Sequence, residues 1–151
     1  MAVLLLVVCF CTACEKRTLI HSYQAFPETG WAKGDTVEFQ IPLTDSFLLA
    51  DVYVELRHHP QYPYRNLPFA VRIVTPDSLF LPTDSVDLML ADSMYNWQGK
   101  GIGPLRQMAV RAGSVEVSHP GLYRIQMWHL LPDSLLPELN DIGIRLKRRG
   151  G

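Results

Sequence analysis

From Thr36 onward, apolar and polar residues alternate with a period of two, and this constrains the chain more than any other feature. Successive side chains of an extended strand point to opposite faces, so a period of two marks strands with one buried and one wet face. Thr36-Val37-Glu38-Phe39-Gln40-Ile41 alternates in this way and is expected to stop at Pro42. Residues 51–57 do the same before His58-His59-Pro60. Residues 67–74 read as a third strand, closed by the turn Thr75-Pro76-Asp77-Ser78, with short segments at 79–81 and 85–90 behind it. Residues 107–112 and 114–117 read as two strands parted by Gly113. Residues 122–128 follow the turn signal His119-Pro120-Gly121, and residues 141–147 come last. Turn residues recur about every 8–12 positions, the spacing of an antiparallel sandwich or barrel. The one helical signal, residues 134–140, is broken by Pro137 and suffices for a single turn. The expected fold is all-β: a single antiparallel β-sandwich, jelly-roll or Ig-like.

The N-terminus follows a different rule. Residues 1–13 carry no charge and are nearly all apolar, and Glu15, Lys16 and Arg17 come soon after. A membrane-spanning helix needs about 20 apolar residues, so the run is too short to span and has the length of a signal-peptide core. Thr12 and Ala13 are small enough for a signal peptidase, and Cys14 then offers the thiol that would be lipidated. Cys9 and Cys11 follow the bulky Val8 and Phe10 and suit cleavage poorly. The expected organisation is a lipoprotein signal peptide at 1–13, a lipidated tether at 14–18 and the β-sandwich at 19–151. With Cys9 and Cys11 removed, Cys14 is the remaining thiol and is acylated, so no disulfide is expected and stability must come from the core. A chain of about 150 residues buries enough surface to achieve this.

Formal charge is −1, which argues against nucleic acid as a partner, since that would call for a basic face. The C-terminal run Arg145-x-Lys147-Arg148-Arg149 reads as a solvated tail, with anionic headgroups as its other possible contact. The chain contains no G-x-S-x-G, H-E-x-x-H, C-x-x-C or phosphate-cradling glycine loop. His58 and His59 are neighbours in an extended segment and should point to opposite faces, which speaks against a shared metal. His21, His119 and His129 are scattered and read as surface or capping residues. No catalytic residue, metal site or cofactor is expected.

Two aromatic clusters remain. In Trp97-Gln98-Gly99-Lys100-Gly101-Ile102-Gly103, alternating glycines mark backbone that bends tightly or passes close to something. Trp97 is then either an exposed platform or a ring packed over that bend. Tyr62-Pro63-Tyr64 is a proline-stiffened loop with two rings, a recognition edge or a lid. Tyr62, Tyr64 and Trp97 are the candidate surface for a protein partner or, alternatively, for a glycan stacked on the rings.

Taken in order, several segments resemble one family. They are Tyr23-x-x-Phe26-Pro27, Trp31-x-Lys33-Gly34-Asp35-Thr36-Val37-x-Phe39, Tyr62-Pro63-Tyr64-x-Asn66-Leu67 and Thr75-Pro76-Asp77. Leu90-Ala91-Asp92, Trp97-x-Gly99-x-Gly101-x-Gly103, Pro120-Gly121-x-Tyr123 and Asp141-Ile142-Gly143-Ile144-Arg145 continue the set. Together with the lipoprotein signal they resemble the gliding-motility lipoproteins of the GldH type from Bacteroidetes. The departure lies at Gln126-Met127-Trp128-His129, where such proteins usually carry a Gln and a Met-Arg pair. The resemblance implies a non-catalytic lipoprotein of the gliding and type IX secretion machinery that acts on other envelope proteins, with no catalytic residue to carry over. Glu15 stands where an Asp would favour inner-membrane retention in some bacteria, and no acidic run follows. The expected location is therefore the cell envelope, at the outer membrane and facing the periplasm.

Overall fold

A computed structural model describes residues 17–81 and 85–150, and all its regular structure is β. The strands are β1 (Thr18–Ala25), β2 (Trp31–Ala32), β3 (Val37–Leu43), β4 (Leu48–His58), β5 (Asn66–Val74) and β6 (Phe80–Leu81). They continue as β7 (Ser85–Met89), β8 (Lys100–Ile102), β9 (Leu105–Val117), β10 (Gly121–His129), β11 (Leu135–Leu136) and β12 (Leu139–Arg148). Sheet I runs β1-β12-β4-β9-β8, and sheet II runs β3-β10-β5-β6 with β7 also on β5. The pair β2–β11 forms a separate small ribbon. The eight strands of five residues or more divide as β1-β12-β4-β9 and β3-β10-β5-β7, the jelly-roll order. Of the two expected topologies, the jelly roll is the one adopted.

The alternation in the sequence becomes the core. On β4, Leu48, Ala50, Val52, Val54 and Leu56 point inward, facing Phe39, Ile41, Leu67, Phe69, Val71, Ile125 and Met127 of sheet II. Burying a side chain of this size stabilises the fold by about 1.5–3 kcal/mol, so these inward rows hold the two sheets together.

Four elements differ from the sequence expectation. β3 runs through Pro42, because β3 is an edge strand where a missing N–H breaks no ladder. Residues 105–117 form one strand, with a register shift opposite Val52/Tyr53 that absorbs an extra residue as a bulge near Gly113. Leu135–Leu136 pairs with Trp31–Ala32 as strand, where a helical turn was the alternative. β1 begins at Thr18, the last residue of the expected tether, and its pairing with β12 from Thr18↔Lys147 to Ala25↔Asp141 has no counterpart in the alternation.

The register sorts the connections into two ends. Thr18, Arg148, Leu48 and Val117 are neighbours in sheet I, and Leu43, Gly121 and Val74 lie at the same end of sheet II. This is where the chain enters the domain, and we call it the tether end. The β4–β5 loop, the β7–β8 loop, the tip of the β8–β9 hairpin and the β2–β11 ribbon lie at the other, distal end.

Candidate functional site

The aromatic residues singled out by sequence all gather at the distal end, but they do not form one exposed platform. Tyr62 is 3% exposed and belongs to the core. Its N–H donates to the His59 carbonyl at 3.1 Å, and its hydroxyl donates to the Asn66 carbonyl at 3.0 Å. Burial pushes that hydroxyl far above the usual tyrosine value. Tyr62 is therefore removed from the candidate surface: of the two rings around Pro63, it is the one buried in the core, with Tyr64 packed over it.

Tyr64 is half-buried and meets Tyr62 edge-on, with centroids 6.0 Å apart. Its hydroxyl sits 2.7 Å from each oxygen of Asp133, and that hydrogen bond raises its pKa. Trp97 is half-buried and lies edge-on against His58, at a centroid distance of 4.7 Å. Gly99, at φ +83°, leaves no room for a Cβ, which would meet the Gln107 carbonyl oxygen at 2.1 Å. Gly99 thus serves the close approach of the β7–β8 loop to β9, whereas a Cβ at Gly103 would meet open space, and Trp97 packs on His58.

His58 and His59 do point to opposite sides. His58 is buried beneath Trp97, and His59 is half-exposed. His129, expected at the surface, is instead 2% exposed and meets Trp31 edge-on at 5.4 Å. Burial holds the pKa of both His58 and His129 below the usual histidine value, which keeps the rings neutral.

The exposed ring at this end is Tyr95, which the sequence reading passed over. Asp92 Oδ1 accepts the N–H groups of Met94 at 2.8 Å and Asn96 at 2.9 Å, building an Asx turn. That turn holds Tyr95 at φ +62° with 73% of its surface exposed. The Arg65 guanidinium carbon lies 5.2 Å from the Tyr95 ring centroid. Tyr95, Tyr64, Arg65, Asn66, Asp87 and Met89 line a shallow hollow of about 410 Å³. On its floor Asn66 Nδ2 donates to Asp87 at 2.8 Å. Met94, 79% exposed, stands beside it. The hollow offers an aromatic face, a flexible thioether, a cation and an amide–carboxylate pair, which is the chemistry of binding.

A second cluster lies on the outer face of sheet I. Glu55 is 1% exposed although it points away from the core. Tyr23 donates its hydroxyl to Oε2, His21 Nε2 lies 3.0 Å from the same oxygen, and an Arg145 nitrogen lies 2.6 Å from Oε1. Burial opposes the charge, but these hydrogen bonds and Arg145 hold the Glu55 carboxyl below its usual value. The Tyr23 hydroxyl is pushed up to about 12, by burial and by the bond to Glu55. Tyr23 lies directly on Gly143, where a Cβ would meet its ring at 2.6 Å. The basic C-terminal run is also no free tail: it continues β12, Arg148 pairs with Asp45, and Arg149 pairs with Asp51. Cys14 and the 1–13 segment lie outside the described residues. The first described carbonyl, that of Arg17, accepts the Arg148 N–H at 2.6 Å.

Comparison with known proteins gives a consistent result. The family model of the GldH lipoproteins matches residues 18–146. The gliding motility lipoprotein GldH of Flavobacterium johnsoniae is 24% identical over 154 residues, covering 97% of this chain and 95% of the relative. A GldH homolog of Christiangramia forsetii is 21% identical over 145 residues, covering 91% and 88%. Among solved structures, a 4-O-methyl-α-glucuronidase with specificity for decorated arabinogalactans matches at TM-score 0.45 and 12% identity, over 89% of this chain and 18% of that one. The C-terminal CBM6 of LamC from Zobellia galactanivorans matches at TM-score 0.38 and 13% identity, over 86% and 92%. At these scores the structural likenesses carry no weight for function.

Proposed function

The chain belongs to the GldH family of gliding motility lipoproteins, and from that premise we propose that it is a non-catalytic envelope lipoprotein which holds a protein partner at the membrane. In this reading Cys14 carries the acyl chains and the protein sits in the outer membrane facing the periplasm. Its partner belongs to the gliding and type IX secretion machinery. Two or three acyl chains at about 0.8 kcal/mol per buried CH₂ make such an anchor effectively permanent. One observation carries the reading: the domain enters at the tether end, while the exposed Tyr95, Met94 and Met89 with their hollow lie at the distal end. Anchoring one end turns this surface away from the membrane, toward whatever it binds. Aromatic, Met and Arg side chains are the types enriched in the cores of protein interfaces.

A photo-crosslinking side chain at Tyr95, in the native host, tests this reading. The expected product is the chain joined to one envelope protein, with the same group at the half-exposed Tyr53 giving none. A second reading rests on the Tyr95 ring beside Asn66, Asp87 and Arg65, a stacking face next to hydrogen-bonding groups, which suits a glycan. Binding of cell-wall or surface glycan, with no protein crosslinked at Tyr95, would establish that second reading in place of the first. Cys14→Ser is expected to block processing or to release the domain from membranes. A Cys14→Ser chain processed normally and retained on membranes would refute lipidation at Cys14.

A further inference from the structure

We propose that the tether end of the sandwich is a membrane-docking face, with Phe47 entering the acyl region of the bilayer. The inference rests on the lipid-anchor reading of Cys14, and it adds an orientation and a contact surface to it. Phe47 ends the short link between β3 and β4, is 86% exposed, and has φ +56°. Neither property helps the fold: the ring buries little of its surface, and left-handed backbone disfavours a bulky residue where Gly, Asn or Asp would sit with ease. An exposed outlier of this kind calls for a role outside the folded core.

The surroundings point to a lipid surface. Leu79 and Phe80, 61% and 64% exposed, follow the turn after β5, and Leu122, 45% exposed, opens β10, all at this same end. The Phe47 link is braced by Asp45, which pairs with Arg148, and Arg149 is held on Asp51 beside it. An apolar tip beside arginines already neutralised by Asp45 and Asp51 fits a bilayer, where the ring reaches hydrocarbon and the paired charges stay at the level of the headgroups.

The length of the tether selects the occupant. Three residues separate Cys14 from Thr18, and the four steps between them, at ~3.3–3.6 Å each, cannot reach beyond about 14 Å. The acyl chains therefore hold the tether end within that distance of the lipid surface. Contact with the bilayer becomes an intramolecular event, so side chains too few to recruit a free protein suffice to orient an anchored one. Phe47 differs in this respect from Tyr95 at the distal end, whose hydroxyl and Arg65 neighbour suit a wet protein interface.

The test uses the full acylated chain in phospholipid vesicles whose acyl chains carry bromine, a short-range quencher of indole fluorescence. The parent chain, with Trp31, Trp97 and Trp128, provides the baseline. The emission added by Phe47→Trp should fall by about half or more in brominated vesicles, and that added by Tyr95→Trp should not change. In Phe80→Trp the quenching should be present and should be lost on adding Phe47→Asp, while the chain still sediments with the vesicles. A chain that sediments with the vesicles but shows no more quenching in Phe47→Trp than in Tyr95→Trp would overturn the docking face and leave the anchor intact. A chain without an acyl group by mass spectrometry would overturn the anchor reading, and docking with it. If the non-acylated Cys14→Ser chain forms a dimer that Phe47→Asp dissociates, Phe47 serves a second copy and the bilayer proposal falls.

Discussion

The two ends of the sandwich differ in how much aromatic surface they bury and in what they leave exposed. The distal end is a layered aromatic cap: Trp31 donates its indole N–H to the Asp35 carbonyl at 3.0 Å and meets both Phe26 and His129. Tyr62 and His58 lie buried beneath Tyr64 and Trp97. Tyr62 and Trp31 are tied to backbone carbonyls and Tyr64 to the Asp133 carboxylate. Ring nitrogens of the buried His58 and His129, by contrast, lack a hydrogen-bond partner, and the exposed Tyr95 sits above this layer. The tether end has a smaller cap: Tyr123 is buried, donates its hydroxyl to the His119 carbonyl at 2.9 Å and meets the His119 ring at 6.4 Å. It is flanked by ion pairs of Arg148 and Arg149 with Asp45 and Asp51, it leaves Phe47 and Leu79 exposed, and Arg72 lies over the part-exposed Phe80 ring at 4.7 Å. An end that must present a binding surface to water is completed internally, whereas an end that lies against another phase can leave its apolar groups to be covered there.

The contrast can be broken by mutation. The largest effect is expected from Trp31→Ala, which empties a large buried site in the distal cap and should lower unfolding stability by about 3–5 kcal/mol in urea titrations. A loss below about 1 kcal/mol would mean that the cap is not part of the cooperative core.

A smaller effect is expected from acid. His58 and His129 are neutral in the fold with pKa values held under 6.5, so the unfolded chain takes up protons near that pH and the folded chain does not. Their contribution to stability is complete above about 6.5 and is lost as pH falls through the lower folded values. Asp51 at the tether end is held below 3.8, chiefly by its hydrogen bond from Arg149, so its contribution persists until pH drops under that value. Between pH 7 and 5, hydrogen exchange corrected for intrinsic rates should speed up around residues 58–62 and 129 and not around 50–52 and 146–148. The reverse order would refute the assignment of acid sensitivity to the distal end.

The smallest effect on folding is expected from Phe47→Gly and Tyr95→Gly. Each relieves a left-handed backbone at an exposed ring, so each should stay within about 1 kcal/mol of the parent. The two should differ in binding alone, Phe47→Gly losing bilayer contact and Tyr95→Gly losing the partner crosslink. Two variants with the same binding defect would erase the functional difference between the ends.

Most of the sandwich was legible because the core strands of both sheets bury one face, and the alternation records this directly. β1 was not legible. It is an edge strand, and the residues that matter on it, His21 and Tyr23, turn outward onto a buried carboxylate and not inward to the core. Glu55 could not be recognised either, since its partners come from β1 and β12 and meet only after the sheet forms. At the candidate surface the sequence reading named Tyr62, Tyr64 and Trp97 together, Trp97 for the glycines that follow it. The more informative signal was Asp92, whose side chain builds the turn that throws Tyr95 outward. Local turn chemistry decided which ring is exposed, and residue size did not.

The place of β1 also bears on how the protein would carry force. The proposed tether joins the domain at the start of β1, whose bonds to β12 run across the strand axis from Thr18 to Ala25. In the proposed arrangement, a pull between the lipid anchor and a distal partner would load the whole ladder at once, in shear, and would not unzip it bond by bond. Tyr23, seated on Gly143 and bonded to Glu55, acts as a latch against sliding. The strand that alternation could not reveal is the one placed to bear the mechanical load.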